Sequence, residues 1–390
     1  MRIAYAIESP LRYGGGVSMV VRTLMESLPD SYRFVLISRD AEGSLNTDSL
    51  SKRIEVHIPW VGGKDAPHPE FYRTRRESLD RLVATQPDLV HFHSGGVYSW
   101  GNRWPGASWP AFLKRRNIPS VWTNHLVVDR LHGFCGQNKP RWLSELLWPI
   151  ARSGKKHQIH SVEKEICVSD HDSEKIKRWY FPFQHKVRRI YHSRLAETEI
   201  ALSLLPREKM ILAVGHVAFR KGQHILVRAF GEIFRRHPDW NLVIVGPESM
   251  DGCGDWIRNF CDRAGLRTQV VLAGQRKDVM GWMKRCSIFV QPSLQEALGL
   301  ALQEAMACGC ACIGTKVGGI PELIQDQVSG LICKAGDTAC LAQSMESLIR
   351  SPDRRTKYGE AAFGRIKELG MTRDDMIKAH KKIYEKFCKC

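Results

Sequence analysis

Two consecutive doubly wound α/β domains are what this sequence predicts, and three observations carry the prediction. Short apolar runs of strand length alternate with stretches of helical spacing. The alternation lapses near residues 190–208 and then restarts. Glycines and polar residues collect where strands stop, as they do when ligands bind at the carboxyl ends of a parallel sheet. A chain of 390 residues is long enough for two ordinary domains and too long for one small binding module.

The elements follow in order. RIAYAI reads as a strand, SPLRYGGG as a loop, and VSMVVRTLMESL has helical spacing that ends before Pro29 and Asp30. FVLIS and IEVHIP are further strands, a basic helix is expected over 70–85, and DLVHFHS, PSVWTNH and EICVS complete the first set. The second set is KMILAVGH, a loop and helix in FRKGQHILVRAFGEIFRRHP, then NLVIVGP, QVVLAG, SIFVQPS and ACIGTK. The last helical stretch, 372–387, has no strand after it and is expected to return to the first domain. The boundaries predicted are therefore 1–195 and 196–371, with 372–390 packing back on the first part. Two such domains facing each other bring their strand-end loops to a central cleft.

Composition excludes several classes. With 43% apolar and 25% charged residues, the chain is neither disordered nor fibrous. No 18-residue apolar run is present, so no spanning helix is expected. The first ten residues lack the apolar stretch and small-residue site of a secretory leader, which predicts a cytoplasmic protein. Twelve cysteines without a C-x-x-C pair point to reduced structural thiols rather than zinc ligands. The net charge of +17 is uneven: residues 103–194 carry 18 basic and 7 acidic side chains and six of the eleven tryptophans. A patch of that kind calls for an anionic partner: a phosphate-bearing substrate, an acidic lipid surface or nucleic acid.

Four groups of residues carry chemistry. Gly14, Gly15 and Gly16 lie between a strand and a helix, where a phosphate can approach the backbone and face free N–H groups; a plain flexible turn is the alternative. Arg220 and Lys221 lie in a strand-end loop and can clamp a pyrophosphate, against the alternative of a solvated basic pair. Glu296 follows the strand SIFV, and Glu304 lies eight residues later on a helix opening near Gly299. One carboxylate can accept sugar hydroxyls and the other a pair of ribose hydroxyls, with the N–H groups at Gly299 and Leu300 holding phosphate oxygens. The alternative is helix-dipole stabilisation by Glu296 and an ordinary helical Glu304. His93 and His125 end strands and are site candidates. His91 is expected on the opposite strand face from His93, in the core or at the surface. Asp170-His171-Asp172 has the look of a metal-holding D-x-D, but its place at a helix start favours capping.

The run from Pro292, P-S-x-x-E-A-L-G-L-x-x-x-E-A-M-A-x-G, followed by G-G-I-P-E-L-I and G-L-I, resembles the retaining nucleotide-sugar glycosyltransferases of family four. Pro292, Ser293, Glu296, Gly299, Glu304, Gly309, Gly318, Gly319, Glu322 and Gly330 all fall in register with that family. The resemblance implies two Rossmann-like domains in the GT-B arrangement. It implies that Gly15 and Gly16 touch the donor β-phosphate, Arg220 and Lys221 neutralise the pyrophosphate, Glu304 binds the ribose and Glu296 contacts the transferred sugar. His125 would lie near the reacting centre. His216 stands where the family often has Arg, and IYHSRL replaces the usual Asn-Gly linker.

With a nucleoside diphosphate as leaving group, the main demand is charge stabilisation, which two cations, glycine N–H groups and a helix N-terminus meet without a metal. The expected function is transfer of a sugar from a nucleoside-diphosphate sugar, UDP first among them, to a hydroxyl of a glycan or lipid-linked acceptor. No cofactor and no metal are expected. The segment 139–157, KPRWLSELLWPIARSGKKH, reads as a basic amphipathic stretch suited to an acidic membrane surface, with Lys155 and Lys156 among its cations; a packed helix with a solvated face is the alternative. A nucleotide-sugar epimerase would share the fold and the donor but need no acceptor. A nucleic-acid-binding protein would explain the charge but leave Glu296 and Glu304 without a purpose, and no RRM, KH or zinc-finger pattern is present.

Overall fold

The computed structural model describes residues 1–11, 15–41, 44–45, 50–60, 68–94, 108–127, 141–202 and 205–387, with backbone alone for 68–75, 141, 143, 144, 147 and 151. Gly14 and the start of the 139–157 segment lie outside the described residues. The chain divides into two units: Met1–Arg194 with Asp374–Cys390, and Leu195–Arg373.

The first unit is built on β1 (Arg2–Ile7), α1 (Gly16–Ser27), β2 (Arg33–Ser38), β3 (Ile54–Pro59), α2 (His68–Ala84), β4 (Leu89–Ser94), α3 (Trp109–Lys114), β5 (Ser120–Asn124), α4 (Arg141–Ser161), β6 (Lys164–Cys167), α5 (Asp170–Trp179) and β7 (Val187–Arg189). The strands form one sheet in the order β3-β2-β1-β4-β5-β6-β7, and every pair is parallel. Parallel neighbours cannot be joined by a tight hairpin, so helices carry the crossings and cover both faces. Hence β4 and β5 are buried at every residue. On one face Val35, Ile37, Val90, Phe92, Trp109 and Trp122 make an apolar core.

The second unit repeats the plan with β8 (Glu208–Val214), α6 (Gln223–Ile233), β9 (Asn241–Val245), α7 (Cys253–Ala264), β10 (Val270–Gly274), α8 (Val279–Arg285), β11 (Cys286–Gln291), α9 (Leu300–Ala307), β12 (Ala311–Thr315), α10 (Ile320–Leu323), β13 (Leu331–Cys333), α11 (Thr338–Arg350) and α12 (Pro352–Glu368). Its sheet runs β10-β9-β8-β11-β12-β13, again all parallel. In both sheets the strand order reverses next to the first strand, at β1/β4 and at β8/β11. The chain leaving β1 goes on to β2 and the chain leaving β4 to β5, on opposite sides of β1/β4, and β8 and β11 part in the same way toward β9 and β12, which leaves the adjoining strand ends open to a ligand. The nine described cysteines are free thiols.

The last helix, α13 (Arg373–Tyr384), belongs to the first unit and covers the other face of its sheet. Tyr384 Oη is hydrogen-bonded to His91 Nδ1 at 2.6 Å and to Tyr5 Oη at 3.1 Å, and His91 Nε2 reaches Thr123 Oγ1 at 2.7 Å. The expectation that His91 and His93 face opposite ways is wrong. Side chains repeat every two residues along a strand, so positions 91 and 93 share a face. Their rings are 4.0 Å apart, and both are fully buried. His192 and His380 join them, with ring centroids 5.5 Å apart. Among the described residues no helix is long and apolar enough to cross a membrane.

Burial disfavours the charged imidazolium, so His91, His93 and His192 lie well below the ordinary histidine range, His380 is lowered to about 4 and His125 to about 3. These groups stay neutral in the folded protein while the unfolded chain takes up protons near pH 6.5. Stability is therefore flat above that pH and falls as pH drops from 6.5 toward 4, by up to about 1.4 kcal/mol per histidine per pH unit. Urea denaturation of the first unit is expected to shift steeply to lower midpoints between pH 7 and 5, with a shallower fall in His380→Gln. A flat midpoint across that range would show that the rings are not held neutral.

Candidate active site

The second unit gathers its polar residues at the β8/β11 switch point. After β8 the chain passes Gly215 and His216 into a short 3₁₀ turn, Phe219–Lys221, which Gly222 ends in the left-handed region with φ of +73°. A Cβ built on Gly222 would lie 1.9 Å from the carbonyl oxygen of Pro292, so only glycine lets this loop rest on the loop that follows β11. The contact is reinforced by hydrogen bonds: the amides of Leu294 and Gln295 both donate to the Arg220 carbonyl, at 2.9 and 3.2 Å. Gln223 pins the turn from inside, donating from Nε2 to the His216 carbonyl at 2.9 Å.

This apposition brings Lys221 and Glu296 together. Lys221 Nζ lies 2.7 Å from Glu296 Oε2, and both side chains are largely buried, at 16% and 12% exposure. Gln291 Nε2 and Ser293 Oγ donate to the same carboxylate oxygen at 3.1 and 3.2 Å. Burial acts to raise the Glu296 pKa. The Lys221 ammonium, the Arg220 charge and the Ser293 hydroxyl outweigh it, and the carboxyl ends below its ordinary value. Glu296 is thus an ionised, acceptor-only group. His216 is lowered by burial and then by Arg220 and Lys221, so this ring adds no charge and the cations of the loop are its neighbours. Arg220 is exposed.

Gly299, with φ of +98°, turns the chain into α9, and no side chain caps that helix. Its first amides, beginning at Leu300, therefore have no side-chain acceptor. Glu304 is buried on the same helix. The motif glycines further on shape the backbone that carries Glu296. A Cβ on Gly318 would meet the Glu296 carbonyl oxygen at 1.7 Å, and the Gly319 amide donates to the Ala297 carbonyl at 2.8 Å. Beneath α9, Arg207 donates to the carbonyls of Met283, Lys284, Cys286, Cys308 and Gly309, all within 3.2 Å. The sequence reading missed Arg207 and Gln291, which lie outside any recognisable spacing.

In the first unit, Gly15 is the N-cap of α1 in extended conformation and Gly16 is its exposed first residue. His125 follows β5 and is half-buried; its amide donates to the Ser94 carbonyl at 2.8 Å. The D-x-D look-alike resolves into helix-start geometry, with Ser169 rather than an aspartate as cap: its Oγ accepts from the Asp172 amide at 3.2 Å. Asp172 accepts from the Val127 amide and Asp170 pairs with Arg189. Among the described residues no three His, Cys, Asp or Glu side chains are grouped to hold a metal.

In the basic segment the expected row of surface cations is broken at position 155. Lys155 is not a surface cation: it is fully buried, 2.6 Å from the equally buried Glu165, which also accepts from Asn124 Nδ2 at 2.6 Å. Helix periodicity turns position 155 inward, and Trp142, Leu146 and Ile150 outward at 65%, 66% and 41% exposure. Arg152 is exposed and Lys156 half-buried.

Residues 14–193 match the family described as Glycosyltransferase Family 4, and residues 197–365 match Glycosyl transferases group 1. Over 267 residues, 66% of this chain and 75% of the other, the sequence is 27% identical to the lipopolysaccharide core biosynthesis mannosyltransferase LpcC of Rhizobium leguminosarum bv. viciae. It is 30% identical over 177 residues, 45% of each chain, to N-acetyl-alpha-D-glucosaminyl L-malate synthase of Bacillus anthracis. The fold is similar to that of Anabaena HepE in complex with UDP and glucose, with a TM-score of 0.74, 18% identity and 99% of each chain covered. It is similar also to sucrose-phosphate synthase of Thermosynechococcus elongatus, with a TM-score of 0.76, 18% identity, and 99% and 98% covered.

Replacing Gly222 by Ala is expected to lower the stability of the second unit by about 2 kcal/mol or more, from the left-handed backbone and the Pro292 approach together. Thermal or urea unfolding measures it; an unchanged midpoint would mean that the two loops are not held in contact.

Proposed function

We propose, for a chain that belongs to glycosyltransferase family four and has its two-domain Rossmann-like fold, that it moves a hexose from a UDP-sugar to a glycan or lipid-linked hydroxyl with retention and without a metal. The single observation that supports this most is the joining of the two strand-end loops. It places Arg220, Lys221 and ionised Glu296 beside the uncapped start of α9, with Glu304 buried on that helix. A UDP-sugar is chosen because the similar fold of HepE was solved with UDP and with UDP-glucose.

Each residue then has a role that its chemistry allows. As the bond between sugar and diphosphate breaks, negative charge grows on the leaving group. Arg220 and Lys221, the amides at Gly299 and Leu300, and the α1 start at Gly15 and Gly16 are the groups that meet it. Glu304 accepts the ribose hydroxyls. Glu296 accepts a sugar hydroxyl, which an ionised carboxylate does best. His125 is neutral, so it serves the sugar as a hydrogen-bonding ring and not as a cation. A phosphate oxygen takes the acceptor's proton.

Calorimetry and turnover test the reading together. Glu304→Ala is expected to weaken UDP binding by about 1.5–3 kcal/mol, from charge-assisted hydrogen bonds lost. Lys221→Ala is expected to lower turnover more than donor binding, since its partner charge grows in the transition state. Activity in EDTA should match activity in Mg²⁺. Unchanged UDP affinity in Glu304→Ala removes that residue from the site, and a strict metal requirement overturns the metal-free chemistry. Donor consumed equally with and without any acceptor would favour an epimerase.

The exposed row Trp142, Leu146 and Ile150 supports attachment to an anionic membrane. Three apolar side chains four residues apart share one helix face, within a strongly basic part of the chain. Binding to acidic vesicles is expected at low salt and should fade as salt rises. Trp142→Ser with Leu146→Ser should weaken it by roughly tenfold or more, with UDP affinity unchanged. Equal sedimentation with neutral and acidic vesicles would remove the anionic surface from the reading, and none with either would remove the membrane altogether.

A further inference from the structure

We propose that His93 is a positioning residue for His125: it holds the His125 ring through an imidazole–imidazole hydrogen bond and fixes which nitrogen of that ring faces the sugar. The inference rests on the placement of His125 at the reacting centre given above.

His93 Nδ1 lies 2.9 Å from His125 Nε2. His93 is fully buried near the end of β4, and His125 is the first residue after β5, tied to β4 by the Ser94 carbonyl. Backbone and ring of His125 are thus both held by the same neighbouring strand. With both rings kept neutral, each has one N–H and one bare nitrogen, so a bond between them needs one ring to donate and the other to accept. Two rings joined this way cannot change tautomer independently. Nε2 of His125 is taken by His93, which leaves Nδ1, with no hydrogen-bond partner among the described residues.

His93 is itself held. The His91 ring lies 4.0 Å away and Tyr5 5.5 Å away, and His91 is locked at both nitrogens, by Tyr384 and by Thr123. The His192 ring also lies beside His125, with centroids 5.0 Å apart. The line Tyr384, His91, His93, His125 carries the packing of α13 through to a single half-buried ring. An aliphatic or phenyl side chain at position 93 would fill the space but leave His125 free to rotate and to exchange tautomers.

The test is nitrogen-15 NMR of protein labelled at histidine, with turnover measured beside it. In the wild-type protein His125 is expected as one neutral tautomer, with a direct nitrogen–nitrogen coupling to His93 across the hydrogen bond. His93→Phe should show mixed His125 tautomers. Its kcat should fall roughly tenfold or more with the donor KM little changed, since the donor contacts remain. His93→Asn, whose amide can replace Nδ1, should restore most of the rate and the single tautomer. In a His125→Ala background, His93→Phe should cost nothing further. If His93→Phe does not fold, the wild-type coupling and the Asn variant still decide. Absence of coupling with mixed tautomers in the wild-type protein overturns the inference and leaves the transferase reading intact. A coupling present while His125→Ala turns over at the wild-type rate overturns the placement of His125, and the inference with it.

Discussion

The close rest of Gly222 on the Pro292 carbonyl is the constraint on which the second unit's polar cluster depends. Two loops from adjacent parallel strands start about 5 Å apart, but no ladder hydrogen bond holds them together beyond the strand ends. Here a missing side chain on one loop and two amides on the other make them one surface. Only because the backbones are so close can Lys221 and Glu296 meet at 2.7 Å while both stay largely out of water. Taking either partner away would strand a charge, so the pair holds its own geometry once the loops are set.

The first unit solves a different problem. A sheet face that carries Tyr5, His91, His93 and Thr123 cannot be covered by an aliphatic helix without leaving polar atoms unsatisfied. The covering helix instead brings Tyr384, whose hydroxyl serves His91 and Tyr5 at once, and His380, whose Nδ1 is hydrogen-bonded to the Met376 carbonyl of its own helix. The interior is polar yet uncharged, so ring orientation there is set by hydrogen bonds more than by packing volume.

The fold was legible because parallel strands buried on both faces write continuous apolar runs, and glycines mark the loops between them. The motif from Pro292 to Gly330 was legible because several of its glycines answer close backbone contacts, as Gly318 does at the Glu296 carbonyl and Gly330 at the Cys312 carbonyl. Other features were not legible for physical reasons. Short strands such as β7 and β13 hold three residues each, too few to show a period. The pairing of His93 with His125 joins two strands across 32 residues, and no local pattern records it. Lys155 looked like a surface cation because charge alone says nothing of the face it occupies. Arg207 carries no motif, since a guanidinium that collects carbonyls needs them only in space.

Because α13 follows the whole second unit in sequence yet belongs to the first, the first unit cannot be completed before the second has been synthesised. Residues 195–373 form a contiguous stretch whose contacts are all available once it is synthesised. The first 194 residues leave synthesis earlier but wait with an open, histidine-lined face until Tyr384 arrives. Until α13 covers it, that face would present imidazoles that protonate near pH 6.5. Truncations that spare every residue of the sheet but remove the final turn would then fail in the half of the protein farthest away in sequence.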